Sequence, residues 1–218
     1  MDAQFLAQRM MYLIPLVLSL SVHEFAHAWS AFRLGDDTAA RMGRMTLNPM
    51  VHIDPLGTLL LPLLGIPFGW AKPVPVVPRR FHRGVNMGTG TVITAAAGPA
   101  SNVVLAVLTA VVYGLLSRWA PDTLEQWPAV AQLAGVMIQM NIALALFNML
   151  PIPPLDGSRV VEGLLPYRYR PYWERLTSLG PILLLVAVAA GGYLIAGPAR
   201  FANHLVNQLL LSLAGGAA

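Results

Sequence analysis

The sequence predicts an all-α polytopic membrane protein, folded as a helical transmembrane bundle. Apolar residues make up 56% of the 218 residues and charged residues only 11%, whereas a soluble domain carries about 25% charged residues. The mean hydropathy is +0.60. Long uncharged runs recur along the chain, and about 20 apolar residues are enough to cross a bilayer as a helix. We therefore expect residues 1–218 to form a single membrane-embedded domain.

The first two apolar runs differ in character. Met10 to Phe32 is long enough for a transmembrane helix and contains one charged residue. Leu56 to Phe68 is short, and prolines and glycines interrupt it. Because a lipid-exposed helix with so many breaks would leave backbone groups unpaired, we expect a re-entrant segment or loop buried against protein. Lys72 to Val77 alternates proline with valine, which predicts an extended edge strand or an irregular surface loop.

Four more candidate spans follow. The second and third full spans are predicted at Thr91–Leu116 and Ala131–Leu150, and a group of prolines that starts at Pro151 ends the third. Thr177–Ala199 and Phe201–Ala218 are two further candidates. We therefore expect residues 177–218 to supply C-terminal spans.

The loop charges predict the orientation in the membrane. If Leu56–Phe68 does not cross, eleven of the fourteen lysines and arginines lie on one side. They are Arg33, Arg41, Arg44, Lys72, Arg79, Arg80, Arg83, Arg159, Arg168, Arg170 and Arg175. The other side holds Arg9, Arg118 and Arg200. Because positively charged loops stay in the cytoplasm, we expect a multi-pass protein of the cell membrane, with its N-terminus outside and its large basic loops cytoplasmic.

The first span contains the sequence His23-Glu24-Phe25-Ala26-His27. Residues four apart lie on one face of a helix, so both imidazoles can point at one metal ion. Two neutral imidazoles suit Zn²⁺, and the glutamate between them is the usual general base for an attacking water. Removing these groups from water is costly, so their position inside a span indicates a function.

A catalytic zinc site needs a third protein ligand, and the chain has no cysteine to supply a thiolate. We favour Asp156, which follows the third span where prolines break the helix. An Asp-Gly turn is the alternative explanation for this residue. Asp36 and Asp37 follow Gly35 and are expected to close the first helix at the surface. His52 is a further candidate ligand, although we expect it to hold its own loop.

Two amides stand at the ends of predicted spans, Asn102 near the start of the second and Asn148 near the end of the third. Either could donate a hydrogen bond to a developing oxyanion. Either could instead form hydrogen bonds between helices, which contribute about 0.6–2 kcal/mol in membranes. The sequence leaves both interpretations open.

Further motifs follow the histidines in a fixed order. They are Ala28 with Arg33 to Asp36, Gly43 to Pro49, His52 to Thr58, Gly69 to Val76, Ala97 to Asn102, and Asn148 to Gly157. Together with His23–His27 they resemble the site-2 protease family of intramembrane zinc metalloproteases, over about residues 20–160. Several motifs in one order are far more specific than the histidine motif alone. The chain is similar to a minimal member of that family, without PDZ or CBS regulatory domains.

The resemblance also implies a site and a reaction. It implies one zinc ion held by His23, His27 and Asp156, Glu24 as the catalytic base, and supporting roles near the substrate for Asn102 and Asn148. The implied partners are the lipid bilayer and transmembrane protein substrates, cleaved within or near their helices. Such cleavage would serve regulated intramembrane proteolysis or the clearance of membrane proteins.

The competing hypothesis is a non-proteolytic membrane protein that binds a metal for transport or for structure. A transporter is expected to show symmetric halves with paired broken helices, and the sequence shows none. The net charge of +4 is too diffuse to indicate a nucleic-acid partner. The sequence does not determine the oligomeric state or the natural substrate.

Overall fold

The computed structural model describes residues 3–65 and 69–215, with side chains from Arg9 onward. All regular structure in these residues is helical, as the sequence predicts. The α-helices are α1 (Ala3–Arg33), α2 (Thr38–Arg41), α3 (Leu61–Leu63), α4 (Met87–Trp119), α5 (Pro121–Gln126), α6 (Pro128–Asn148), α7 (Asp156–Leu164), α8 (Arg170–Thr177) and α9 (Gly180–Ala214). Four helices in the described part are long and apolar enough to cross a membrane, namely α1, α4, α6 and α9.

A cap and several prolines set the helix boundaries around the polar residues. The side chain of Asn86 accepts a hydrogen bond from the Gly88 N–H at 2.8 Å and caps the start of α4. Helix α6 begins at Pro128, in the first position, where a missing N–H does no harm. It ends at Asn148, shortly before the proline-rich turn. The chain then reverses into α7, so that Asp156 is the first residue of a helix that packs against α4.

The segment between α1 and α4 forms short helical pieces joined by loops in its described residues. Pro55–Leu60 forms a π-helical stretch that continues into α3, and both pack against α1. No helix of spanning length occurs among the described residues of this segment. The expectation that Leu56–Phe68 is not a full span is therefore confirmed up to Gly65, and residues 66–68 lie outside the described part.

Lys72–Val77 forms an irregular loop with no strand. This corrects the edge-strand alternative and supports the loop interpretation. The loop approaches the protein interior, because Ala71 and Val74 are buried. Trp70 anchors its start against Gly57 so closely that a Cβ at Gly57 would lie 2.3 Å from the indole ring. Only a glycine allows this contact.

The C-terminal part corrects the sequence prediction of two spans at Thr177–Ala199 and Phe201–Ala218. The described residues form one continuous helix, α9, which passes through Pro198. A proline removes one helical hydrogen bond and bends a helix, but packing against neighbouring helices can keep the helix continuous. Residues of α9 beyond Pro198 have such neighbours, since Ala202 and Val206 pack on α4 and α6. At 1.5 Å per residue α9 is about 52 Å long, which exceeds the hydrocarbon core of about 30 Å.

Small side chains let the long helices approach one another. Helices α1, α4 and α6 pack together, and α9 lies against α4 and α6. On α4, Ala106 and Ala110 are buried in a cluster with Ile138 and Ile142 of α6. Close backbone approach of this kind is the usual basis of helix association in membranes. The buried polar residues lie nearby, where α1, α4 and α6 meet.

Candidate active site

Three donor atoms from distant parts of the chain meet beside α4. The Nε2 atoms of His23 and His27, one turn apart on α1, lie 3.0 Å from each other. The Oδ2 atom of Asp156 lies 3.1 Å from the first and 3.3 Å from the second. Both histidines are buried, and Asp156 is largely buried. The fold therefore brings together the three residues that the sequence analysis selected as metal ligands.

The arrangement fits a zinc ion. Donors about 2.0–2.1 Å from a tetrahedral Zn²⁺ lie roughly 3.3–3.4 Å apart; the His27–Asp156 separation of 3.3 Å matches this value, and the other two are slightly shorter. The Oδ2 atom of Asp156 is buried and has no hydrogen-bond partner among the described residues, so a cation would satisfy it. Gly98 of α4 leaves the necessary space, because a Cβ there would lie 2.3 Å from Nε2 of His27.

The electrostatics of the cluster favour an ionised Asp156. Burial raises the pKa of the Asp156 carboxyl, but the imidazoles of His23 and His27, when protonated, outweigh burial and hold the pKa well below its usual range. An ionised carboxylate is the form that ligates a metal.

Each histidine is oriented by a partner on α4. The Nδ1 atom of His27 lies 2.7 Å from the carbonyl oxygen of Thr94. A carbonyl only accepts, so Nδ1 carries a proton, and Nε2 of the neutral, metal-binding form of the ring presents a lone pair to the cluster. The Nδ1 atom of His23 lies 2.6 Å from Oδ1 of Asn102, whose side chain is fully buried. Outer partners of this type fix the tautomer and the ring orientation of metal-binding histidines.

Glu24 is held by the loop that follows Trp70. Its Oε2 atom accepts a hydrogen bond of 2.7 Å from the Val74 N–H. Arg44, which is 8% exposed, fixes that part of the loop by donating to the carbonyl oxygens of Lys72 at 2.6 Å and Pro73 at 2.7 Å. The position of the carboxylate thus depends on backbone groups that a buried guanidinium keeps in place.

Asp36 holds the other end of the same loop. Its Oδ2 atom accepts a hydrogen bond of 2.6 Å from the Val77 N–H, and its Oδ1 atom accepts from the backbone and the hydroxyl of Thr38. Asp36 is only 1% exposed, so the expectation that it closes α1 at the surface is wrong. Asp37 does lie near the surface, where it pairs with Arg41 and Arg80. Asp36 is buried, unlike Asp37, because the 72–77 loop returns to this point and covers it.

The donor cluster and Glu24 open into a cavity of about 980 Å³. Residues of α1, α6, α9 and the 69–76 loop form most of its wall, and apolar side chains predominate. Asn148 lines this cavity and donates its amide to the Leu144 carbonyl at 3.0 Å. Asn102 does not line it. Its amide is occupied by His23 and by Asn141 of α6, so Asn102 makes hydrogen bonds between helices.

The other candidate ligand, His52, lies outside the cluster. It is 2% exposed, and its Nε2 atom lies 2.9 Å from the Thr46 carbonyl oxygen, so it holds its own loop as expected. Sequence reasoning missed Asn141, Thr94 and Val74. An amide within an otherwise apolar run was the signal available for Asn141, whereas Thr94 and Val74 act through backbone atoms that no side chain reveals.

Comparisons with known proteins give the chain its family. The profile of Peptidase family M50 matches residues 120–189, from α5 to the first part of α9. YwhC of Bacillus subtilis (strain 168), named as a candidate zinc metalloprotease, is 41% identical over 174 residues, which are 79% of this chain and 77% of YwhC. No solved structure matches.

Two proteins named Rip2, also as candidate zinc metalloproteases, match over a shorter stretch. The protein of Mycolicibacterium smegmatis is 38% identical over 148 residues, and that of Mycobacterium tuberculosis (strain ATCC 25618 / H37Rv) is 35% identical over 146. Each match covers 67% of this chain and 54% of the relative, so the chain spans about half the length of these two proteins. From the extent of the YwhC match and the family profile, we conclude that this chain belongs to Peptidase family M50, the site-2 protease family of zinc metalloproteases.

Proposed function

We propose that the chain is an intramembrane zinc metalloendopeptidase that hydrolyses peptide bonds within or near the transmembrane helices of other proteins. One observation carries the proposal: three metal-ligating atoms and a buried glutamate converge at one cavity between helices apolar enough to span a bilayer. A structural or transported metal would not require a buried carboxylate next to a ligand histidine in the sequence and fixed by the Val74 N–H.

Each residue of the cluster has a proposed role. His23, His27 and Asp156 hold one Zn²⁺, which when bound supplies a Lewis acid that polarises a carbonyl oxygen and makes water more acidic. Glu24 takes a proton from the attacking water and returns it to the leaving amine. The Val74 N–H holds Oε2 of Glu24, and Oε1 has no hydrogen-bond partner among the described residues, so Oε1 is the proposed proton acceptor.

The two amides support the reaction from different places. Asn148 lies in the cavity wall, where its side chain can contact a substrate carbonyl. Asn102 acts indirectly, through its contact with Nδ1 of His23. A transmembrane substrate must unwind before attack, because a helix buries its own carbonyl groups. The irregular 72–77 loop offers backbone groups along the cavity to which an unwound segment could pair.

The deciding experiment measures metal content and cleavage together. The purified chain in detergent should contain one zinc ion and should cleave a single-span test protein in a reaction that a chelator stops and added zinc restores. Zinc binding without cleavage, together with metal uptake into vesicles, would instead support a transport role.

We also propose that the N-terminus lies outside the cell membrane and that the large basic loops are cytoplasmic. Four spans then place the start of α1 and the end of α9 on the same side. Since the chain has no cysteine, single cysteines can be introduced directly. Cysteines at Arg80 and Arg170 should react only with a reagent that reaches the cytoplasm, and one at Asp122 only with an external reagent. Labelling of the cysteines introduced at Arg80 and Arg170 from opposite sides would overturn this orientation.

A further inference from the structure

A buried chain of hydrogen bonds connects α6 to His23. The Nδ2 atom of Asn102 donates to Oδ1 of Asn141 at 2.8 Å, and the Nδ2 atom of Asn141 donates to Oγ of Ser19 at 2.8 Å and to the Met137 carbonyl oxygen at 2.8 Å. Asn102, Asn141 and Ser19 are all 0% exposed. Three polar side chains removed from water at the meeting point of α1, α4 and α6 are costly unless their hydrogen bonds are satisfied.

The Met137 carbonyl fixes the donor-to-acceptor direction of this series of hydrogen bonds. A carbonyl oxygen can only accept, so the atom of Asn141 that faces it must be the amide nitrogen. The opposite orientation would bring two oxygens to 2.8 Å at a fully buried side chain. Oδ1 of Asn141 is therefore the atom that faces Asn102.

The same reasoning applies to Asn102. Because Oδ1 of Asn141 is an acceptor, Asn102 must present its amide nitrogen to it. The Ser19 carbonyl, at 3.4 Å from the same nitrogen, favours this orientation more weakly. The Oδ1 atom of Asn102 is left to face Nδ1 of His23 at 2.6 Å, so the proton of His23 is on Nδ1.

We propose that Asn141 is a positioning residue that, through Asn102, holds His23 in the tautomer whose Nε2 lone pair faces the metal. The inference rests on the proposed function in one respect, that His23 binds zinc through Nε2. It adds that a residue of α6, which touches neither the metal cluster nor the substrate cavity, sets the affinity of the site for zinc.

The two histidines are thus oriented by different means. His27 donates directly to a backbone carbonyl, that of Thr94, which no side-chain substitution can remove. His23 depends on two amides, each of which could rotate by half a turn if its neighbour were lost. Substitutions in α6 should therefore disturb the orientation of His23 and leave the orientation of His27 unchanged.

The test uses the full chain in detergent with zinc affinity as the readout. Zinc binding is measured by competition with a chelator for the wild type, Asn102→Leu, Asn141→Leu and Ser19→Ala. Loss of an outer partner of a metal ligand typically weakens binding about 10–100-fold, which we expect for Asn102→Leu. We expect about tenfold weaker binding for Asn141→Leu, and a change below about threefold for Ser19→Ala, because the Met137 carbonyl still orients Asn141.

A spectroscopic signature distinguishes orientation from general loss of packing. In the zinc-loaded protein with ¹⁵N-labelled histidine, His23 should show a proton on Nδ1 at a downfield position, assigned by its absence in His23→Gln. This signal should move in Asn141→Leu and remain in Ser19→Ala, while the corresponding signal of His27 stays unchanged in both.

Two results would overturn the inference: unchanged zinc affinity and an unchanged His23 signal in a folded Asn141→Leu, or a wild type without a proton on Nδ1 of His23. The second result needs no variant, so the test holds even if Asn141→Leu fails to fold. A wild type that binds no zinc would instead contradict the proposed function, which separates the two failures.

Discussion

The proposed active site has two halves, the metal-binding histidines and Glu24, which the fold supports in different ways. The histidines depend on groups carried by the long helices α4 and α6, whereas Glu24 depends on a backbone N–H of an irregular loop. A helix holds its residues through a regular ladder of hydrogen bonds. The loop has no such ladder, and Arg44 and Asp36 take its place. We expect metal binding and proton transfer to be separately vulnerable, the first to changes in the helices and the second to changes in the loop.

The largest effect should follow from removal of the proposed third ligand. Asp156→Ala should lose zinc and activity together, with a decrease in affinity beyond the roughly 10–100-fold that loss of an outer partner causes. Metal analysis of the purified variant measures this. Asp37→Ala is the matched control, since Asp37 is an acid at the surface paired with Arg41. Full zinc occupancy in Asp156→Ala would reduce the residue to a turn former.

Substitution of the proposed base, Glu24, should impair proton transfer and leave metal binding intact. Glu24→Gln should retain zinc and fold, because the cluster of ligands is intact, but should lower kcat by roughly 10²–10⁴ because an amide cannot accept the proton. Cleavage of the single-span substrate and zinc content are measured on one preparation. Near-normal turnover would remove Glu24 from the mechanism.

A methyl group added to α4 at Gly98 should affect metal binding alone. Gly98→Ala would place a Cβ 2.3 Å from Nε2 of His27, so we expect zinc affinity to fall about 10–100-fold. Gly135→Ala on α6 is the control, because a Cβ there meets nothing within 4 Å. That variant should bind zinc normally and gain up to about 1 kcal/mol of stability from its higher helix propensity. Equal zinc binding by both variants would contradict the geometry of the cluster.

The smallest effect should come from the loop. Arg44→Met leaves the carbonyls of Lys72 and Pro73 without their buried donor, at a cost of about 1–3 kcal/mol in stability. Displacement of the Val74 N–H should lower kcat about tenfold while zinc content stays normal, because a small misplacement of a catalytic group is costly. Arg44→Lys should recover part of the rate. Arg41→Met, which breaks an exposed ion pair, should change neither quantity. A loss of zinc in Arg44→Met would mean that the loop supports the metal ligands as well as Glu24.

Sequence reasoning succeeded where a pattern is local or a residue type is rare. The spacing of His23 and His27 predicts their shared helix face, and an acid at the end of an apolar run singles out Asp156. The charge-poor runs likewise predict both ends of α4 and α6 to within four residues and the end of α1 to within one, although α1 begins seven residues before the predicted start.

It failed where the outcome depends on distant packing. Nothing local distinguishes Asp36, buried under a returning loop, from Asp37 beside it at the surface. The predicted spans Thr177–Ala199 and Phe201–Ala218 separate at Arg200, yet α9 continues through this point, where neighbouring helices pack against it. The Val74 N–H is a backbone group in a proline-rich loop, and its contact with Glu24 spans residues that only the tertiary fold brings together.

The separation of the ligands along the chain has a consequence for biosynthesis. Both histidines and Glu24 lie on α1, which precedes the other described helices of spanning length in the chain, whereas the proposed third donor begins α7. About 130 residues separate them, so at 5–20 residues per second the ribosome needs roughly 6–26 s to supply the missing ligand. Throughout that interval the nascent chain carries the histidine motif without a complete metal site. If the proposed function holds, the chain would be unable to attack neighbouring chains at the insertion machinery until the segment that follows α6 is made.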